Sequence, residues 1–289
     1  MRDLPHSPPS VVVGLDGSRS ALDAALWAVD EAVSRDIPLR LVYAVDPDSS
    51  SGTDPHDAAR DLAAAEIAVR HACTAIESTD KPVKIEMEIL QARPARALID
   101  TSRSAAMLCL GDMGLRHSAQ GRIGSTAAEV AASAHCPVAI VRSYDPRPGR
   151  NDWVVAEIDG SPVGNHILQR ASDEARLRNA PLRVLTSWQT RFTDVYNNRS
   201  VAEGNRCAKA QLDRQLAQWK KRYPELDVES VVVHGNTLDY LTQYGDWIQL
   251  LVVGHERVRG IKDLVGPPGY ASLQEAGCSV LICQPHTVL

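Results

Sequence analysis

Apolar and polar positions follow two rhythms along this chain, and the rhythms take turns. Short apolar runs such as VVVGL at 11–15 and AMLCL at 106–110 read as strands buried on both faces. Between such runs, apolar residues recur every three or four positions. The stretch at 20–35 puts Leu22, Ala25, Leu26, Val29 and Val33 at helical spacing. The first half predicts strands at 11–16, 39–46, 83–90, 106–111 and 137–142. Helices are predicted at 20–35, 56–77, 94–105 and 126–135. Strands separated by helices imply an α/β fold with a mainly parallel sheet covered on both sides.

The same pattern is then written a second time. VVVGLDGS at 11–18 returns as VVAEIDGS at 154–161, and IPLRLVYAVD at 37–46 as APLRVLTSWQ at 180–189. MLCLGDMG at 107–114 returns as LLVVGHER at 250–257, and AHCPVAIV at 134–141 as AGCSVLIC at 276–283. Asp16 and Asp159 are 143 positions apart, as are Leu39 and Leu182, and Gly111 and Gly254. Cys136 and Cys278 are 142 apart, so the second copy has lost one residue between the last two blocks. The expected organisation is two tandem domains, 1–146 and 151–289, joined by the proline-rich YDPRPGRND at 144–152.

The chemistry concentrates in GDMGLRHSAQGRIGST, residues 111–126, immediately after the fourth strand. Open parallel sheets take ligands beyond the carboxyl ends of their strands, where strand order reverses. Asp16 beyond strand one and Gly111 to Gly114 beyond strand four are therefore expected across one crevice. Gly124, Ser125 and Thr126 open a helix whose first amides lack intrahelical partners, and these amides suit phosphate oxygens. A second reading is also open. Ser125 or Thr126 as helix cap, with Glu129 closing a capping box, explains the same residues without a ligand. Likewise Asp16 or Ser18 serves as cap for the first helix. The stretch is not a P-loop, since GxxxxGK[ST] is absent, and a dinucleotide fingerprint would follow the first strand.

Gly111, Gly114, Gly124 and Ser125 meet the spacing G-x2-G-x9-G-[ST], which resembles the nucleotide motif of the universal stress protein family. GLDGS, PLRLVYAVD, the RP before the third helix, LGDMG and HCPVAIV extend the resemblance over both halves. Tandem copies look like the two-domain stress proteins of actinobacteria. The resemblance implies Rossmann-like five-stranded domains that bind ATP, with magnesium as the possible companion ion, and assembly as a homodimer. By the same resemblance Asp16 sits near the ribose or adenine, and Ala44 offers backbone groups to the adenine. Gly111 and Gly114 line the ribose and phosphate path, and Gly124, Ser125 and Thr126 hold the phosphates. Met113 and Arg122 lie inside that loop and are expected to reach the nucleotide.

The second copy departs from the motif. Asp159 and Gly254 persist, but Arg257 stands at the place of Gly114 and Pro267 at that of Ser125. Proline supplies neither an amide hydrogen nor a hydroxyl. Arg257, Arg259 and Lys262 offer phosphate another contact, or are solvated loop charges. The second domain is expected to be the degenerate one.

Composition narrows the classes further. The formal net charge is −5 over 289 residues, and no basic-aromatic stripe points to nucleic acid. No run of eighteen apolar residues predicts a membrane span, and the polar, proline-rich start predicts no signal peptide, so a cytoplasmic protein is expected. Six cysteines lack disulfide or zinc spacing; Cys109, Cys136, Cys278 and Cys283 read as core residues. No catalytic or metal-ligating residue is assigned. Three functions stay open: a regulatory nucleotide binder, a slow ATPase or nucleotidyl transferase, and a dimeric interaction module using PVAIVRSY and SVLICQ as sheet edges. The polar segments 46–57 and 189–204 are expected to cover the crevice.

Overall fold

The computed structural model describes residues 9–48, 55–115, 123–144, 152–161, 163–189, 198–256, 264 and 266–284. The chain divides into two compact units, Met1–Pro146 and Arg147–Leu289. In the first, the strands are β1 (Ser10–Leu15), β2 (Leu39–Val45), β3 (Ile85–Gln91), β4 (Ala105–Gly111) and β5 (Val138–Val141). The helices are α1 (Arg19–Arg35), α2 (Pro55–Glu77), α3 (Pro94–Thr101) and α4 (Ser125–Ser133). The order is β3-β2-β1-β4-β5, with every pair parallel. The order reverses between β1 and β4, which is where the chain ends of these two strands diverge.

The second unit repeats this plan. Its strands are β6 (Trp153–Glu157), β7 (Leu182–Trp188), β8 (Val228–His234), β9 (Ile248–Gly254) and β10 (Ser279–Cys283). Its helices are α5 (Val163–Leu177), α6 (Asn198–Arg222), α7 (Thr237–Tyr244) and, after a 3-10 turn at Gly245–Trp247, α8 (Pro267–Ala276). The order is β8-β7-β6-β9-β10, again parallel. Register is conserved between units: Leu39 pairs with Ile85 as Leu182 pairs with Val228. The turns after α1 and α5 also match, since Asp36 and Asn179 both take left-handed backbone, at φ 52° and 49°. Short polar side chains tolerate that conformation better than most.

Helices on both faces exclude water from the central strands, so β1 and β4 are apolar without alternation: Val11, Val12, Val13, Met107, Leu108 and Cys109 are fully buried. The predicted stripe on α1 holds in part. Ala25 and Val29 are fully buried, together with Ala24, Ala28 and Ala32, while Leu22, Leu26 and Val33 are half-buried. The helix packs on β1 and β4 through small residues and on α2 with its flank, so close approach outweighs side-chain size. Helix α3 stops at Thr101, short of the expected 105, and residues 198–204 belong to α6. His135 and Cys136 lie in a bend before β5, and Cys109, Cys136, Cys278 and Cys283 are all buried. Residues 49–54 and 190–197, half of each of the two segments expected over the crevices, lie outside the described residues.

Candidate functional site

Strand β1 ends at Leu15, and Asp16 turns the chain into α1. One carboxylate oxygen, Oδ1, accepts from the Ser18 N–H at 2.9 Å. The cap of α1 is Ser18, whose Oγ accepts from the Ala21 N–H at 3.1 Å. That frees the other Asp16 oxygen: Oδ2 accepts from the Leu115 N–H, 99 residues away, at 3.1 Å. The loop after β1 is thereby laced to the loop after β4. Ser18 Oγ donates to the Met113 carbonyl at 3.3 Å, and the Met113 N–H donates to Ser20 Oγ at 3.4 Å.

The glycines in this lacing have separate duties. A Cβ on Gly114 would stand 2.6 Å from Asp16 Oδ2, and one on Gly111 would stand 2.6 Å from the Ser20 carbonyl carbon. Gly111 thus lets β4 meet the start of α1, while Gly114 lets the loop meet the Asp16 carboxylate. At Gly111 the backbone contact excludes a side chain, and at Gly114 a side chain would have to displace the Asp16 carboxylate.

Helix α4 is capped by Gly124, which has no side chain to bond to the first turn. The capping-box reading of Ser125, Thr126 and Glu129 is therefore overturned: Ser125 is already the first helical residue, so Thr126 and Glu129 sit inside the helix. The Gly124 N–H donates to the Asp112 carbonyl at 2.8 Å, which brings the helix start against the β4 loop.

These elements border one crevice of about 830 Å³, within the size range of small-molecule clefts. Asp16, Ala44, Gly111, Met113, Gly114, Gly124, Ser125 and Thr126 all line it. Arg122 lies outside the described residues. Ala44 sits where β2 outruns β1: pairing to β1 ends at Leu15↔Tyr43, while pairing to β3 continues to Val45↔Gln91. The floor is apolar, with Leu15, Val42, Leu98, Ile99 and Leu110. Sequence reasoning missed this floor, together with Arg93 and Arg96 at the head of α3 and Asp61 on α2. The Arg-Pro pair at 93–94 signalled a helix start, but only strand order brings that start to the crevice. Beside it, Asp23 is buried on α1, and burial raises its carboxyl above the usual range; Arg19 opposes this and Asp112 adds to it.

In the second unit Asp159 keeps its local turn, accepting from the Ser161 N–H at 3.0 Å. The matched surroundings differ. Glu157 replaces Gly14 at the end of the first strand, and Thr237 Oγ1 donates to it at 2.6 Å. Trp188 replaces Val45; its Nε1 donates to Asn205 at 2.7 Å, and its ring lies 4.9 Å from that of His234. A Cβ on Gly204 would collide with the indole. Gly204 and Cys207 match Asp61 and Ala64, which line the first crevice, so the indole fills the corresponding gap between strand and helix. Helix α8 starts with Gly266 as cap and Pro267 first, which removes the amide that Ser125 has in α4. Arg257, Arg259 and Lys262 lie outside the described residues. Among the described residues, no group of three or more His, Cys, Asp or Glu is placed to hold a metal ion, and no helix is long and apolar enough to cross a membrane.

The model of the universal stress protein family matches residues 9–142 and again 152–284. A universal stress protein of Mycobacterium tuberculosis is 49% identical over 278 residues, covering 96% of both chains. A second from the same organism is 36% identical over 274 residues, covering 94% of this chain and 95% of the other. The solved structure of a universal stress protein from Archaeoglobus fulgidus superposes with a TM-score of 0.72 at 12% identity, over 96% of this chain and 97% of that one, which speaks for the fold alone.

Proposed function

The chain belongs to the universal stress protein family, and from that premise we propose that its amino-terminal unit binds ATP and acts as a nucleotide-dependent regulator in stress response. The observation that carries this reading is the first crevice itself. It joins an apolar floor, a loop with glycine at 111 and 114, and a helix start capped by the glycine at 124 within one space of about 830 Å³.

Each part suits one part of the ligand. The apolar floor of Leu15, Val42 and Leu110 receives a flat base, and the β2 backbone at Ala44 and Val45 reads its edge. Asp16 is held by two amides at the centre, at the height of a ribose. The Gly111–Leu115 loop admits phosphate close to its backbone. The first amides of α4, with the hydroxyls of Ser125 and Thr126, then meet the phosphate oxygens. Magnesium, were it to accompany the nucleotide, would neutralise the phosphates, and Asp16 would be a carboxylate of the lining able to share it. The carboxyl-terminal unit is the nucleotide-poor one in this proposal, because Glu157, Trp188 and Pro267 stand where the first unit has space and a donor.

Calorimetric titration of the full chain with ATP, alongside Asp16→Ala, tests the proposal. The expected result is saturable binding that the substitution weakens. Absence of binding by the unaltered protein at millimolar ATP would sink it.

A further inference from the structure

Asp112 is the one residue of the GDMG turn whose side chain faces away from the crevice. It is 5% exposed and absent from the crevice lining, although its neighbours Gly111 and Met113 both line it. Its oxygens are spent inward. Ser20 Oγ donates to Oδ1 at 2.8 Å, the Arg142 Nε–H donates to Oδ2 at 3.2 Å, and a terminal nitrogen of the same guanidinium pairs with that oxygen at 3.2 Å. Its backbone is spent as well: the N–H donates to the Val141 carbonyl at 3.0 Å, and the carbonyl accepts from Gly124 at 2.8 Å. One residue therefore joins the end of β4, the start of α1, the end of β5 and the start of α4.

A buried ion pair is a weak source of stability, because desolvation offsets most of its attraction. It is a strong source of geometry, since both partners are held to one arrangement. The second unit provides an internal comparison. There His255 stands for Asp112, Gln284 for Arg142 and Val163 for Ser20. All three members have changed together in the copy that also lost the Ser125 amide and the Gly114 site.

We propose that Asp112 is a positioning residue for the nucleotide site: held by Arg142 and Ser20, it sets the glycine loop against the first turn of α4 without touching the ligand. This rests on the nucleotide reading of the same crevice.

The sign of one substitution separates positioning from simple charge. Asp112→Asn keeps the shape and removes a negative charge close to the proposed phosphate position. Electrostatics alone then strengthens ATP binding. Loss of positioning weakens it, by on the order of tenfold, the scale of one charge-assisted hydrogen bond. The expected result in titrations of the full chain is weaker binding; unchanged or tighter binding overturns the proposal.

Amide hydrogen exchange without nucleotide supplies a second measurement. Exchange at Met113 to Leu115 and at Gly124 should rise on the order of tenfold in Asp112→Asn while Val11 to Val13 stay protected. Unchanged exchange at the loop overturns the proposal. Should Asp112→Asn fail to fold, Arg142→Gln, which installs the residue found in the second unit, is read by the same exchange with the same two outcomes. If the unaltered protein binds no ATP, the nucleotide reading falls. The exchange result still decides whether Asp112 sets the loop.

Discussion

Gly114 and Asp16, 98 positions apart in the chain, meet so closely that a Cβ on the glycine would stand 2.6 Å from Asp16 Oδ2. That same oxygen accepts from the next residue's amide, Leu115 N–H, at 3.1 Å. The aspartate and the glycine are thus two halves of one clamp. Gly114→Ala should push the carboxylate aside and weaken ATP binding by on the order of tenfold, since the displaced group loses a charge-assisted hydrogen bond. Titration of the purified variant measures this, and binding equal to that of the unaltered protein contradicts the clamp.

The second unit should leave the count of tight sites near one ATP per chain. Glu157 adds a carboxylate where the first crevice has Gly14, and Trp188 packs against Gly204, filling in its own unit the gap that Val45 and Asp61 line in the first. Equilibrium dialysis at saturating ATP gives the count directly. Two equal, tight sites would overturn the assignment of the two units.

Trp188 and Gly204 should be energetically coupled, with a change of sign. Alanine normally improves a helix interior over glycine by roughly 1 kcal/mol. At Gly204 its Cβ meets the indole, so Gly204→Ala should destabilise by about 1–3 kcal/mol, the scale of overpacking. In a Trp188→Ala background the collision is gone, and the same change should stabilise. Denaturant unfolding of the four proteins completes the cycle.

Asp23 should make stability fall as pH rises through its titration. Its folded-state carboxyl lies above the ordinary value of 3.8, chiefly because burial disfavours the charge. Below 3.8 both folded and unfolded forms are protonated, and the group contributes nothing. Between 3.8 and the raised folded value the native state binds more protons, so raising pH costs stability. The stability difference between Asp23→Asn and the unaltered protein should therefore grow over that window and then level off. A difference that stays constant from pH 3 to pH 7 contradicts the burial argument.

Thiol chemistry should sort the cysteines by depth. Cys207 is exposed and should react first with a neutral alkylating reagent. Burial raises Cys73, which is only partly covered, and pushes Cys283 up to about 12, which disfavours its thiolate. Cys109, Cys136, Cys278 and Cys283 should label only after unfolding. Mass spectrometry before and after denaturant separates the two groups.

Much of this was legible before any coordinates. The strand and helix rhythm gave nine elements of the first unit within a few residues, because burial on both faces of a parallel sheet leaves an unmistakable apolar run. Helix caps were less legible. Thr126 and Glu129 have capping-box spacing, yet the cap falls two residues earlier, at Gly124, whose N–H is drawn onto the Asp112 carbonyl. A contact between loops overrode a local preference.

The sequence by itself determined the duplication, the α/β plan and the place of the glycine loop after the fourth strand, since these depend on spacing and on residue type within short windows. Only the tertiary structure decided what each loop residue touches. Asp16 reaching Leu115, Gly111 admitting Ser20, Arg142 closing on Asp112 and Trp188 filling its own unit's gap all join segments that strand order brings together. Their pairing energies depend on distances of a few ångströms, and linear spacing carries no record of those distances.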